Sequence, residues 1–331
     1  MARIAILAVA ALALAGCTAT TPTSTDDGTL QVVASTNVYG SIVESLGGAH
    51  VAVTSLIDSA AQDPHSYEAS AQDQLAISKA DLVIENGGGY DPFIDTLLSA
   101  SGSSAVVISA TDASALLDHD HADGEHAEGE EHAEEEEHAE EEEHADEEEG
   151  HEGHDHIEGF NEHVWYSLHG IWHVAEVITE ELTALDPDNA ADYAANFEAF
   201  AGSLEQLETD AEALHAETEG LNAAITEPVP LYLLEAVGFT NVTPDAFSEA
   251  IEEGTDVAPA TLQETLALFE NGQVALLAYN SQTASAETER VREAAEKAGV
   301  PVVEFTETLP DGADYLSWMT DNLAAITAAL A

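Results

Sequence analysis

The chain has 331 residues, and its 66 Asp and Glu against 5 Lys and Arg give a formal charge of −61. That balance excludes nucleic acid and anionic lipid surfaces as partners, because both are bound by basic patches. A single cysteine excludes an internal disulfide and leaves His, Asp and Glu as the ligands for any metal.

Residues 1–16 read as an export signal: Arg3, an apolar run from Ile4 to Leu14, then Ala15 and Gly16 before Cys17. The run is too short to span a bilayer as a helix. Leu14-Ala15-Gly16-Cys17 matches the bacterial lipobox, in which the cysteine becomes the lipidated first residue. Residues 17–29 then form a lipidated Cys17 and a flexible tether, rich in Thr, Ser and Asp. The protein is expected outside the cytoplasm, a monomer held to the cell membrane by lipid alone.

About three hundred residues remain, enough for two cores. Residues 30–185 are predicted to form a first α/β lobe: strand 30–35, helix 38–46, strand 51–57, helix 72–79, strand 81–85, helix 92–98 and strand 105–109. Alternating strands and helices signal a parallel sheet with helices on its faces. The lobe carries an insert over about 112–159 that no core can absorb. Its histidines are His119, His121, His126, His132, His138, His144, His151, His154 and His156, among many carboxylates and without a Lys or Arg. His126, His132, His138 and His144 stand six apart, which on a helix turns successive rings by about 240° and never gathers them on one face. The tract therefore reads as a disordered string of imidazoles and carboxylates that collects borderline cations such as Zn²⁺ weakly.

Asp186-Pro187 opens a run to Gly220 with apolar residues at Tyr193, Phe197, Phe200, Leu204, Leu207 and Leu214. Proline at the start and glycine at the end punctuate a helix, so 186–220 is predicted to be one stiff strut of about 45 Å. Such a linker favours small tilts over wide opening. Residues 221–331 repeat the α/β pattern, with strands 223–226, 274–279 and 302–305 and helices 231–237, 259–270, 285–298 and 315–330.

Ligands of open α/β folds sit at the carboxyl ends of strands. His65, His163, Glu227 and Glu307 answer to that rule, and two imidazoles with two carboxylates from separate loops are able to close around one cation. The segments around them are Asp63-Pro64-His65-Ser66-Tyr67-Glu68, Ala80 to Gly87 (ADLVIENG), Glu162-His163-Val164-Trp165, Thr226-Glu227-Pro228 and Glu304-Phe305-Thr306-Glu307, with Tyr193 and Asn196 in the linker. In that order and spacing the chain resembles, from Leu30 to Ala331, the metal-specific solute-binding lipoproteins of bacterial zinc and manganese ABC transporters. The resemblance implies two α/β lobes joined by a long helix, one metal between them, and delivery to an ABC transporter permease. It makes His65 and His163 the first two ligands. It places Glu227 where zinc members commonly carry a third His and many manganese members Glu, and Glu307 where many relatives have Asp. The longer Glu307 is able to bind with one or both oxygens. This donor set leans toward Mn²⁺ and the histidine tract toward Zn²⁺, and the tract decides the expectation for zinc.

Other features are weaker. His169 and His173, four apart on a helix, form a conceivable second site. Gly87-Gly88-Gly89 lacks the pattern of a phosphate cradle and reads as a turn. Trp165, Trp172 and Trp318 are expected in the core or between lobes, and His50 and His215 on the surface. No H-E-x-x-H or G-x-S-x-G is present. The expectation is a binding protein and no enzyme; a lipid-anchored metallohydrolase and a surface adhesin or metal buffer are the rivals from other classes.

Overall fold

The protein is described by a computed structural model over residues 28–62, 64, 67–117 and 159–331. Cys17, the tether up to residue 27, His65 and the nine histidines of the acidic insert lie outside the described residues.

The first half alternates β1 (Leu30–Thr36), α1 (Asn37–Gly47), β2 (Val51–Ile57), α2 (Ala71–Ile77), β3 (Leu82–Glu85), α3 (Phe93–Ser101), β4 (Val106–Ser109) and a one-turn α4 (Ala110–Ala113). Its sheet has the order β2-β1-β3-β4, with every pairing parallel. Buried strands such as β3, Leu-Val-Ile, are continuous apolar runs because helices cover both faces of a parallel sheet. α2 starts at a capping box in which the Ser70 and Asp73 side chains and backbones bond reciprocally.

Two antiparallel helices follow: α5 (Leu168–Leu185) and α6 (Ala190–Thr218). The predicted strut begins four residues later than its sequence suggested, because Pro187–Asn189 form a 3₁₀ turn. Asp186 fixes that turn by accepting from Asn189 Nδ2 at 2.6 Å and from Tyr193 Oη at 2.8 Å. At 29 residues α6 spans about 44 Å.

The second half holds β5 (Asn222–Ile225), α7 (Leu231–Ala236), β6 (Thr240–Asn241), α8 (Asp245–Glu252), α9 (Pro259–Glu270), β7 (Leu276–Asn280), α10 (Ala286–Ala298), β8 (Val302–Phe305) and α11 (Tyr315–Ala329). Its sheet, β6-β5-β7-β8, is again parallel. Sequence reading missed the two-residue β6 and the helix α8, whose short segment lacks an N-cap side chain. It also placed the end of β7 one residue early, and the correction carries Asn280 into the strand.

The halves do not have wholly separate cores. One apolar cluster runs from Val32 and Ile84 through Trp165, Phe200 and Leu207 to Ile225, Phe305 and Ile326. α11 returns to the first half, where Ser41 Oγ accepts from Tyr315 N at 3.0 Å and Tyr315 Oη donates to the Trp165 carbonyl at 2.7 Å. Packing of this kind couples the sheets through α1, α5, α6 and α11, in keeping with a rigid strut.

Glu85 ends β3, and its carboxyl is pushed up to about 7 from 4.5, first by burial and then by Asp91, Asp95 and Asp112. The folded state therefore keeps a proton that the unfolded chain releases. Its contribution to stability is complete below about pH 4.5 and is lost as pH rises through about 7. Glu85→Gln should flatten the Tm profile across that window and raise Tm at pH 8. Thermal melts that keep the original slope would contradict this.

Candidate metal centre

The first support of the site is the turn after β3. Gly87, Gly88 and Gly89 have φ of 75°, 65° and 94°, which side-chain-bearing residues adopt at a cost. A Cβ on Gly87 would lie 2.5 Å from Ser109 Oγ and 2.7 Å from Thr111 Oγ1. The buried Asp91 carboxylate accepts from Asn86 N at 2.7 Å and Gly87 N at 2.9 Å, closing the turn. Burial raises the Asp91 pKa, and those backbone donors partly offset the rise. The turn delivers Tyr90, 1% exposed, into the interior.

Tyr90 Oη donates to Glu307 Oε2 at 3.0 Å. Burial, then the Glu307 carboxylate, hold the Tyr90 phenol well above its ordinary pKa, so it remains a neutral donor. Asn280 Nδ2 donates to Glu307 Oε1 at 2.9 Å and also to Glu227 Oε2. Thr283 Oγ1 adds a second donor to Glu227 Oε2 at 2.5 Å. One amide at the carboxyl end of β7 thus gathers carboxylates that leave β5 and β8. The loop of Glu307 is pinned as well: Gln282 Oε1 accepts from Glu307 N at 2.6 Å and Thr308 N at 3.1 Å, and Tyr166 Oη donates to the Thr306 carbonyl at 2.7 Å.

His163 is fully buried. It does not follow a strand, as expected, but precedes a 3₁₀ turn at Val164–Tyr166. Its ring lies 5.8 Å from that of Tyr90 and 5.1 Å from that of Trp165. Nδ1 faces Asn161 Oδ1 at 2.7 Å, and Nε2 faces Glu252 Oε1 at 3.6 Å. Ligand atoms of Glu162, His163 and Glu252 all lie within 4.8 Å of one another.

Of the sequence-predicted ligands, Glu227 and Glu307 meet at Asn280, and Tyr90 connects Glu307 to His163; His65 lies outside the described residues. Tyr90, Asn280, Thr283, Glu162 and Glu252 were missed. Asn280 follows the same strand-end rule as the others, had amides been considered beside charged groups. Glu252 had no such signal, since it ends the unpredicted α8. Trp165 and Trp318 are buried as expected. His50 bonds Asp192 at 2.9 Å, and His215 is exposed. His169 and His173 have ring centroids 4.9 Å apart on α5, with His169 Nδ1 3.7 Å from Glu208.

Buried imidazole and carboxylate groups held by neutral donors make a cation-binding chemistry, with nitrogen and oxygen ligands and no thiolate. Comparison with known proteins agrees with this chemistry. The family model described as "ZnuA: Zinc-uptake complex component A periplasmic" matches residues 32–329. The manganese-binding lipoprotein MntA of Halalkalibacterium halodurans is 29% identical over 245 residues, 72% of this chain and 68% of that protein. The zinc-binding lipoprotein AdcA of Streptococcus pneumoniae is 26% identical over 317 residues, 91% of this chain and 56% of the longer relative. Among solved structures, the periplasmic zinc-binding protein TroA of Treponema pallidum superposes with a TM-score of 0.69 at 19% identity, covering 92% of this chain and all of that one.

Gly87→Ala should lower stability by about 1–2 kcal/mol or more, from the left-handed backbone and the contacts with Ser109 and Thr111. Denaturant unfolding gives the measurement, and an unchanged midpoint would contradict the role assigned to the turn.

Proposed function

The chain belongs to the family of the periplasmic component A of zinc-uptake complexes, the metal-binding solute-binding component of ABC importers, and we propose from that premise that its cargo is zinc. His65, His163, Glu227 and Glu307 are the proposed ligands, and delivery is to the importer's membrane permease. The proposed protein is a lipid-anchored monomer outside the cytoplasm, tethered at Cys17. The proposed boundaries keep 30–185 and 221–331 as lobes with 186–220 between them.

The observation that carries this reading is the meeting of Glu227 and Glu307 on one buried amide, Asn280, with His163 joined through Tyr90. Buried carboxylates gain most from a cation that arrives and leaves, because water is excluded and the local dielectric is low. Four protein ligands with no open position suit capture and release, whereas catalytic zinc keeps a place for water. Manganese is the second reading. It is favoured by the oxygen-rich donor set and by a relative named for manganese, whereas the acidic histidine tract and the relative named for zinc favour zinc.

The protein purified without added metal is predicted to carry one tightly held divalent ion per chain, and competition between Zn²⁺ and Mn²⁺ to leave zinc bound. Retention of manganese against equimolar zinc would overturn the zinc reading. By calorimetry, His65→Ala and His163→Ala should each abolish the tight site. Deleting residues 118–156 should remove weak sites only. Near-unchanged affinity in either point variant would mean that the ligands are misassigned. Because imidazoles must be neutral to ligate, binding should weaken below about pH 6. A flat pH profile would argue against histidine ligation.

A further inference from the structure

We propose that His169 and His173 of α5, with Glu208 of α6, form a second cation site on the surface of the helix pair, one that takes a borderline divalent ion such as Zn²⁺ or Ni²⁺. This site is separate from the buried centre and does not depend on which ion is the cargo.

Spacing comes first. Residues four apart on an α-helix lie one turn above each other on the same face, and a His pair at i and i+4 is the arrangement by which a single helix presents two imidazoles to one Zn²⁺. The rings of His169 and His173 have their centres 4.9 Å apart. Two imidazoles that each hold one ion through a nitrogen at about 2.1 Å place their ring centres roughly 5 Å apart, so the pair is spaced as two such ligands are. The third group comes from the antiparallel neighbour. Glu208 Oε1 stands 3.7 Å from His169 Nδ1. That exceeds an N–H···O bond of about 2.7–3.2 Å. It is close to the roughly 3.4 Å between two donors that share one tetrahedral metal at about 2.1 Å.

The backbone under these groups is rigid while their side chains are open to solvent. On α5, Ile171, Val174, Ala175 and Ile178 are buried, and on α6 Leu204, Leu207 and Ala211 are buried, so the two helices are fixed from their inner faces. The start of α5 is held by Ser167, whose Oγ accepts from Gly170 N at 3.0 Å. The His169 and Glu208 side chains are 67% and 42% exposed, so an ion reaches them directly from water. Ligands carried on packed helices keep their geometry better than ligands on loops. The electrostatics agree. Neither helix carries a Lys or Arg, and Glu176, three residues beyond His173, adds negative charge along the same strip of α5. Two imidazoles and one carboxylate are the donors that borderline divalent ions take, with water filling the positions that remain. Such a site exchanges its ion readily, which suits capture at the surface.

Trp172 provides a local reporter, because its ring lies 5.1 Å from that of His173. The test uses the full chain loaded with one equivalent of Zn²⁺ and then titrated with Ni²⁺, a paramagnetic ion that quenches an adjacent indole. Quenching should saturate, and Trp172→Phe should remove that saturating component. His169→Ala and His173→Ala are each expected to move its midpoint upward by at least about tenfold, and Glu208→Gln to move it in the same direction by less. Circular dichroism and melts check the fold of each variant. The single tight Zn²⁺ site seen by calorimetry should be the same in all of them. A midpoint that neither histidine variant moves would overturn the proposal. A midpoint moved by the histidine variants but not by Glu208→Gln would overturn the part assigned to the carboxylate. Loss of the tight Zn²⁺ site in His169→Ala or His173→Ala would show that the two sites are not separate and would overturn it as well.

Discussion

Everything about this site follows from placing carboxylates in the interior against neutral donors. Glu307 is held by a phenol and an amide, and Glu227 by the same amide and a hydroxyl. Glu162 and Glu252 come up against the imidazole of His163. Hydrogen bonds from neutral groups orient such anions, and taking a carboxylate out of water is costly unless it is hydrogen-bonded or paired.

The scaffold brings those groups together. Parallel sheets bring their carboxyl ends to one region, and Glu227, Asn280 and Glu307 leave β5, β7 and β8 there. The glycine turn supplies Tyr90 from the other sheet, with Asp91 locking its backbone. A core shared across both halves and a 29-residue helix limit large relative movement. Under the proposed function, release of cargo would then involve local rearrangement rather than wide opening.

The sequence conveyed the architecture well where apolar runs were long and punctuated. β1, β2, α9 and β8 fall where periodicity and Pro or Gly signals put them. It conveyed β6 and α8 poorly. β6 has only two residues, and α8 follows Pro244 with no capping side chain, so neither rises above its surroundings. The acidic candidates Glu227 and Glu307 were legible because they stand just beyond strands. Asn280 and Tyr90 were not, because a neutral amide and a phenol resemble ordinary core polar residues until the tertiary structure brings a carboxylate to them. The 3.6 Å approach of Glu252 to His163 joins residues far apart in the chain and so is visible only in the tertiary structure.

The most direct test of the central claim is a crystal structure of the metal-loaded protein with anomalous scattering recorded at the absorption edge of the bound ion. The account predicts one ion in the interior, with His163 Nε2 and carboxylate oxygens of Glu227 and Glu307 about 2.0–2.6 Å from it. An ion bound elsewhere, with those three side chains turned to other partners, would contradict it.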